Sequence, residues 1–569
     1  MSPRDEITSK LAAFRARLRD SFHDTEFRIA LLQLLRCIDC ETFVDYIYQR
    51  AGQERPKSEH SRHISQLFGW GWSEALFTFW GEHVNRAGIP LFRSSQEMKG
   101  WGDSVLQCAG RLRLIEHVLE LERIRLGTIS PCHDDSARFV FQCNENATGV
   151  EGVQRDEEDY LGQQVYDLHE RTGVWKKLAE RRGPIMDKMQ DLVEPFHTHY
   201  IRYDASPEVD EYYSDLATAV APTKAGWDAF PLSATFGGIT FRQYLECVRI
   251  LIGFAFKHLD FCVLLSNRHQ TIKPIDIVTV SSNWSDSCRY VSYALGIDES
   301  QAEKTMLATT LSAENADHHF AVPAGPLAPH YKISKDKSVR LITGCLHNPF
   351  HFMLRELRRR YPADWDKSVD SREHLFREDL IREFSRFNRI VFFSDNIDIS
   401  TSIGKTDIDV LAFDPMTKVL GIFQLKWQEP FCGSMRERES RKTNFLGTAN
   451  AWVQKVSEWV ASGKMPQTLM SLGMPKDVAE EIRETRLFVL GRNFSHFSGE
   501  FETDSRAAWG SWPQVVRLLE SNSAANSPLV FLHDKMKEDT PAMRVKRIGC
   551  ITDLRIPGLT LSIRPPKQD

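Results

Sequence analysis

Residues 404–427, GKTDIDVLAFDPMTKVLGIFQLKW, constrain the fold of this chain more than any other segment. Two apolar runs, 408–413 and 419–425, are rich in β-branched and aromatic residues and predict two β-strands. Between them, residues 414–418 contain a proline and short polar side chains, and the length of this connection is typical of a hairpin. The segment therefore predicts an apolar β-hairpin within a larger sheet.

Polar residues interrupt this hairpin at regular positions. Asp407 and Asp409 are two residues apart, as are Gln424 and Lys426, and side chains two apart on a strand share a face. If the two polar faces coincide, two carboxylates, an amide and an ammonium group converge at one edge of the sheet. Charged groups are rarely placed between buried strands without a partner or a metal ion. The pattern predicts a chemical site, with a solvated surface hairpin as the alternative.

The spacing of these residues also carries a family resemblance. Asp409, followed fifteen positions later by Gln424-Leu425-Lys426, resembles the catalytic hairpin of the PD-(D/E)xK nuclease superfamily. Because Gln424 replaces the usual acidic residue, the motif is similar to the QxK variant of Mrr-type restriction endonucleases. The resemblance covers about the last third of the chain, and the usual proline before Asp409 is absent. It implies a mixed sheet flanked by helices and cleavage of DNA, or less often RNA, with Mg²⁺.

The resemblance also implies roles for individual residues. Asp409 would be the main metal-binding carboxylate, and Gln424 would bind metal through its amide oxygen. Lys426 would orient or activate the attacking water and stabilise the charged transition state. A glutamate of the first helix often joins the metal site in this superfamily, and Glu378 is our prediction for that ligand. The alternative is that Glu378 lies on a solvated helix face and pairs with Arg382, four residues later.

Elementary metal chemistry agrees with these residue types. Mg²⁺ prefers hard oxygen ligands and keeps several waters, so one or two carboxylates and an amide oxygen are sufficient ligands. A bound Mg²⁺ neutralises a phosphate and lowers the pKa of a bound water. We therefore expect Mg²⁺ as the cofactor, with Mn²⁺ as a possible substitute.

Basic residues follow the hairpin within residues 428–444, which we predict to form a loop. Arg436, Arg438, Arg441 and Lys442 lie in this segment, and arginine binds phosphate in a bidentate manner. They are our candidates for nucleic-acid binding. Three glutamates in the same segment cancel part of the charge, so a solvated charged loop is the alternative.

Composition restricts the partners and the compartment. The 569-residue chain has 72 basic and 77 acidic residues and a net charge of −5, so nucleic-acid binding requires a local basic patch. The most apolar run, 248–265, contains three charged residues and predicts a buried helix, not a membrane span. Eleven cysteines without an apolar leader segment favour a reducing, cytoplasmic location. The expected partners are DNA, with RNA as the alternative, and another copy or protein bound through the N-terminal region; no membrane is expected.

Cysteine and histidine spacings raise an alternative metal chemistry. Cys37-x2-Cys40, followed by His60-x2-His63, contains the ligand types of a zinc site. Cys37 and Cys40 nevertheless lie within a continuous helical pattern and have no glycine-rich knuckle, which favours simple packing.

The pattern of elements predicts an α+β, multidomain chain. We expect a helical N-terminal domain at 1–145, a mainly helical middle region at 160–340, and a nuclease-like domain at 365–560. The third unit would begin with a helix at 372–387 and a strand at 389–393. The hairpin, a helix at 444–462 and strands at 487–490 and 529–532 would follow.

The sequence thus predicts a Mg²⁺-dependent endonuclease that hydrolyses DNA phosphodiester bonds under the control of a helical N-terminal region. Proteins that join a nuclease domain to a regulatory region are common in bacterial restriction and anti-phage defence. This comparison is an analogy between domain architectures. One alternative is a nucleic-acid-binding or scaffolding protein whose nuclease fold has lost catalysis. Another is an RNA-directed nuclease with the same site.

Overall fold

The fold is that of a computed structural model, which describes residues 2–19, 24–53, 55, 59–81, 92–144, 150–197, 199–322, 325–393, 397–429, 435–497, 502–521, 527–543 and 553–565. The helices are α1 (Pro3–Arg19), α2 (Asp24–Arg50), α3 (Glu59–Phe79), α4 (Gln96–Arg123), α5 (Val150–Arg171), α6 (Val174–Leu192), α7 (Pro207–Val220), α8 (Phe241–Arg268), α9 (Pro274–Ile277), α10 (Trp284–Leu295), α11 (Glu299–Leu307), α12 (Ala316–Phe320), α13 (Ile342–Leu346), α14 (Pro349–Arg360), α15 (Pro362–Phe384), α16 (Met435–Ala461), α17 (Met465–Ser471), α18 (Lys476–Glu480), α19 (Trp512–Ser521) and α20 (Pro528–Met543). The strands are β1 (Gly127–Cys132), β2 (Asp135–Cys143), β3 (Val193–Phe196), β4 (Tyr200–Tyr203), β5 (Thr235–Phe236), β6 (Ile239–Thr240), β7 (Val280–Asn283), β8 (Thr310–Leu311), β9 (His330–Lys332), β10 (Lys337–Arg340), β11 (Val391–Phe393), β12 (Ile397–Thr401), β13 (Gly404–Ile408), β14 (Val410–Asp414), β15 (Val419–Lys426), β16 (Glu484–Gly491), β17 (Ala507–Ser511), β18 (Asp553–Ile556) and β19 (Leu559–Arg564).

A five-stranded mixed sheet, in the order β11-β14-β15-β16-β17, carries the predicted hairpin. Strands β14 and β15 pair antiparallel from Val410 opposite Phe423 to Asp414 opposite Val419, which confirms the hairpin and its turn. The turn closes with the Lys418 N–H donating to the Asp414 carbonyl at 2.8 Å. Strands β16 and β17 continue the sheet in parallel with β15. The sheet is therefore antiparallel on one side of β15 and parallel on the other.

Helices cover both faces of this sheet. The apolar stripe of α16, which includes Trp452, Val456 and Trp459, packs on one face. Helices α15, α19 and α20 contribute to the core on the opposite face. Residues of β15 alternate between these cores because successive side chains of a strand point to opposite faces: Ile422 joins the first core and Phe423 the second.

Several predicted elements have a different structure. Residues 529–532 form part of helix α20, not a strand, because a short apolar run fits a buried helix as well as a strand. The fifth strand is instead β17, whose AAWGS sequence has no alternation to reveal it. The predicted loop at 428–444 becomes helical at Met435, where α16 begins. Helix α5 begins at Val150, between the first two predicted units.

The three predicted units are interleaved. Buried residues of α2 and α3, such as Leu34 and Leu76, share one core with Tyr331 and Val339 of the middle region. Strand β19 pairs in parallel with β2, so the last two strands belong with the amino-terminal region and not with the five-stranded sheet. The predicted boundary at 145–160 and the predicted end of the third unit at 560 therefore cut through shared structure. The coarse prediction of a mixed helix-and-sheet fold with a helix-rich amino-terminal part is confirmed.

The apolar run at 248–265 lies within α8, a helix buried in the middle region. Its charged residues are paired: the Arg249 Nε lies 2.6 Å from Glu246 and the Lys257 ammonium 2.6 Å from Asp210. In the part of the chain that the structure describes, no helix combines the length and apolarity needed to cross a membrane.

Candidate active site

Asp409 lies at the entrance to β14, in the interior of the protein. Its side chain is 1% exposed, and its N–H donates to the carbonyl of Phe423 at 3.2 Å. The carboxylate oxygen Oδ2 accepts hydrogen bonds from the Gln424 amide at 2.5 Å and from the Leu425 N–H at 2.6 Å. Asp409 and Gln424 therefore lie together, as expected if the two polar faces coincide. The alternative of a solvated surface hairpin is wrong for these two residues.

The environment of Asp409 favours its neutral form. Burial raises the pKa of Asp409 to about 6, and the nearby charges of Glu373 and Asp407 act in the same direction. The Leu425 N–H and the charge of Lys426 oppose this effect. A carboxylate held in an apolar setting beside other acids is an arrangement that a bound cation would stabilise.

Lys426 ends β15 and lies half-buried beside these acids. Its positive charge lowers the pKa values of both Asp409 and Glu373. Gln424, two residues earlier on the same strand face, is 2% exposed. The three residues predicted to be catalytic are therefore brought together at one end of the central strand.

The metal ligand predicted on the first helix of the nuclease-like unit, Glu378 of α15, requires a correction. Glu378 is 58% exposed and pairs with His374 at 3.2 Å. Glu373, five residues earlier on α15, acts by its charge on Asp409, as Asp407 does. Burial raises the pKa of Glu373, and Asp407 raises it further. Five residues correspond to about 140° around a helix, so the two glutamates point in different directions.

Helical spacing contains a signal for Glu373. This residue lies three, seven and eleven positions before Phe376, Leu380 and Phe384, which form the buried stripe of α15. Glu373 therefore continues the line of the stripe at its amino-terminal end, whereas Glu378 falls about 200° away from Phe376. An acidic residue in line with a buried stripe is held close to the sheet, so Glu373 is a better candidate metal ligand than Glu378.

Asp407 contributes to the same electrostatic environment from a separate element. It lies in β13, which pairs with β12 in a two-stranded sheet outside the five-stranded one. The indole N–H of Trp452 donates to the Asp407 carbonyl at 2.7 Å and so ties β13 to helix α16. The expectation that Asp407 and Asp409 belong to one strand is wrong, but their charges do interact.

The candidate nucleic-acid-binding residues lie on the first turns of α16 and not in a loop. Arg441 donates to the Glu429 carbonyl at 3.5 Å, which places it near the end of β15. Lys442 is 9% exposed and pairs with Glu439 at 3.2 Å, so it is poorly placed to meet a ligand. Arg438 is half-exposed, and the side chain of Arg436 lies outside the described residues.

The zinc alternative gains no support from the cysteines. Cys37 and Cys40 are both buried in α2, and Cys37 accepts a hydrogen bond from the Gln33 amide at 3.5 Å. The side chains of His60 and His63 lie outside the described residues. Within the described ranges, no group of three or more histidine, cysteine, aspartate or glutamate side chains is arranged to hold a metal ion.

A magnesium ion still fits the donor chemistry of the Asp409 site. Asp409 and Glu373 supply two carboxylates, and only Oδ2 of Asp409 is engaged by Gln424 and Leu425. The amide oxygen of Gln424 is a third hard donor. Because Mg²⁺ keeps several waters and needs only one or two carboxylates, this set is sufficient.

The raised pKa of Asp409 predicts a measurable effect on stability. The native state binds a proton more tightly than the unfolded chain between the ordinary pKa of 3.8 and about 6, so stability should fall as the pH rises through this window. We expect Asp409→Asn to unfold at higher denaturant than wild type at pH 8 without metal. The expected gain is at most about 3 kcal/mol, and it should disappear near pH 4.

Asp398→Asn, on the exposed part of β12, is the matched control for this measurement and should change stability little. Parallel stability curves for Asp409→Asn and wild type from pH 4 to pH 8 would contradict the assigned environment of Asp409.

Comparisons with known proteins identify no relative. No family model, no curated protein and no solved structure matches this chain.

Proposed function

We propose that this protein is a metal-dependent nuclease that hydrolyses DNA phosphodiester bonds, with its helical amino-terminal and middle regions controlling when or where it cuts. The observation that carries the proposal is the buried Asp409 carboxylate, held by Gln424 and Leu425 beside Lys426 and Glu373. Perturbed carboxylates grouped around a lysine at the end of a central strand are typical of catalytic sites. A role in restriction or anti-phage defence belongs to the same proposal.

The order of elements supports this proposal. Helix α15 precedes β11 and the hairpin, and α16 leads from the hairpin to the parallel strand β16. The result is a mixed sheet flanked by helices, as the resemblance to the PD-(D/E)xK superfamily implies. In this arrangement the carboxylates and the lysine come from neighbouring elements at one end of the sheet.

Asp409 and Glu373 would hold a magnesium ion, with Gln424 as a neutral donor. When bound, Mg²⁺ supplies positive charge against the scissile phosphate and a water of lowered pKa. Hydrolysis adds this water across a P–O bond: the water loses a proton and the leaving oxygen gains one. Lys426 would donate to a non-bridging phosphate oxygen, where negative charge increases in the transition state.

The backbone of the nucleic acid would extend toward the first turns of α16. Arg441 lies beside Glu429, only three residues beyond Lys426, and Arg438 is one helical turn before it. Their guanidinium groups suit phosphates. Lys442 is less suitable because it is buried and paired.

The substrate class is tested with purified full-length protein. We expect supercoiled plasmid to be nicked or linearised in Mg²⁺ or Mn²⁺, and a labelled RNA of similar length to be cut more slowly. Cleavage of RNA alone would favour the RNA-directed alternative. Binding of either nucleic acid without cleavage, in any divalent metal, would favour the catalytically degenerate alternative.

A matched pair of variants on α15 tests the corrected metal ligand. Glu373→Gln removes a negative charge from the surroundings of Asp409. We expect the cleavage rate to fall by at least roughly 10- to 100-fold, which is the loss typical when a group that orients a metal ligand is removed. Glu378→Gln changes an exposed residue on another face of the same helix and should act within about two-fold of wild type. The measurement is the cleavage rate at several Mg²⁺ concentrations. Equal activity of the two variants, or a larger loss for Glu378→Gln, would reject Glu373 as the ligand.

A further inference from the structure

Trp427, the residue after Lys426, lies close to two buried arginines. The guanidinium carbon of Arg492 is 5.0 Å from the centre of a Trp427 ring, and that of Arg372 is 5.7 Å away. Arg492 is 6% exposed and Arg372 is 2% exposed. Buried guanidinium groups next to aromatic faces fix the ring and the charge relative to each other.

Arg492 contacts the end of the strand that carries Lys426. Its backbone N–H donates to the Lys426 carbonyl at 2.8 Å, which extends the pairing of β15 with β16 by one residue. Its side chain forms ion pairs with Asp379 of α15, at 2.7 Å, and with Asp228 of the middle region. The position of Lys426 is thus tied to two charged partners outside the sheet.

Arg372 lies in the helix that carries Glu373, its neighbour in sequence. Its guanidinium carbon is 3.7 Å from the ring of Phe230 and 4.4 Å from that of Trp365, and it pairs with Glu429 at 2.8 Å. Two of its nitrogens, Nε and Nη2, have no hydrogen-bond partner among the described residues. Aromatic packing, including that of Phe230, is therefore a main constraint on this arginine.

One segment of the middle region contacts both arginines. Asp228 and Phe230 lie in residues 224–236, which we call the docking segment. Phe230 is 2% exposed and shares a core with Phe236 and with Trp365 of α15, so the docking segment is packed against this helix. Because a buried charge that loses a partner is costly, the arginines and the docking segment should move together.

We propose that the docking segment couples the helical middle region to the candidate active site by setting the position of Lys426 relative to Glu373. Asp228 and Phe230 act through Arg492 and Arg372 and are positioning residues, not catalytic ones. Displacement of the middle region would release both arginines and misalign the two sides of the site. This inference rests on the proposed nuclease function and specifies how that activity is regulated.

The test compares Asp228→Asn with Asp215→Asn in the full-length protein. Both aspartates are about half-exposed and pair with an arginine, but Asp215 lies on α7 and pairs with Arg181 at 2.5 Å. We expect Asp228→Asn to lower kcat roughly 10-fold or more, because small displacements of reacting groups are costly, and to change KM less than two-fold. Asp215→Asn should match wild type, and Asp228→Glu should recover most of the lost rate. Phe230→Leu, which keeps apolar volume in the core, should also lower kcat.

Hydrogen exchange provides a second readout that does not depend on cleavage. The Arg492 and Leu425 amide hydrogens should exchange faster in Asp228→Asn and Phe230→Leu than in wild type and Asp215→Asn. Unchanged exchange and unchanged kcat in both variants would overturn the coupling. A wild type without cleavage would instead reject the proposed nuclease function, and the exchange rates alone would then decide whether the segment holds this end of β15.

Discussion

Replacing Lys426 with alanine should lower the single-turnover rate of phosphodiester cleavage by roughly 100-fold or more. The ammonium group is placed beside Asp409 and Glu373, where a phosphate held by a metal would accumulate negative charge. Its contribution is therefore largest in the transition state. Metal ligands and most of the binding surface stay in place, so affinity for nucleic acid should fall far less than the rate.

The measurement combines rapid-quench cleavage with a binding titration in Ca²⁺. Lys418→Ala is the control, because Lys418 lies at the turn of the same hairpin and forms an exposed ion pair with Glu481. It should cleave at close to the wild-type rate. A Lys426→Ala protein that cuts as fast as wild type would reject the catalytic role of Lys426.

Replacing Asp409 with alanine should remove metal binding and reduce cleavage by more than about 100-fold, since a catalytic metal supplies several kcal/mol of transition-state stabilisation. Alanine also leaves the Leu425 N–H and the Gln424 amide buried without their shared acceptor. Asp409→Asn keeps an acceptor oxygen while removing the charge, so it separates loss of metal from loss of fold.

Binding of Mn²⁺, followed by electron paramagnetic resonance, measures the first effect directly. Wild type should bind Mn²⁺, and both Asp409 variants should bind it at least about 10-fold more weakly. Retention of wild-type Mn²⁺ affinity in a folded Asp409→Asn protein would show that the metal lies elsewhere.

Local pattern was sufficient to predict the hairpin and its polar residues. Two apolar runs rich in β-branched and aromatic residues predict the two strands, and the spacing of Gln424 and Lys426 predicts that these two side chains share one face. The turn residues determined the register, and Asp409 came to lie opposite Gln424 as a consequence. These predictions depend only on the geometry of one hairpin, and the residues that determine this geometry are close together in the sequence.

Other parts of the site depend on contacts between distant segments. Asp228 and Arg492 are 264 residues apart, and no periodicity predicts that they form an ion pair. The return of β19 to β2 is equally nonlocal. Helical spacing favours Glu373, which continues the buried stripe of α15, whereas the prediction of Glu378 does not use that spacing. The prediction of a strand at 529–532 is wrong because four apolar residues fit a buried helix, here α20, as well as a buried strand.

The most direct test of the central claim is a metal-reversal assay of the purified wild-type protein on supercoiled plasmid. Cleavage by wild type should be absent in chelator and appear on addition of excess Mg²⁺. Under the same additions, Asp409→Asn and Lys426→Ala prepared in parallel should cleave far more slowly than wild type, by roughly 100-fold for Lys426→Ala. These variants control for a contaminating nuclease. Cleavage by wild type that continues undiminished in chelator, or that the two variants reproduce, would contradict a metal-dependent nuclease built on Asp409 and Lys426.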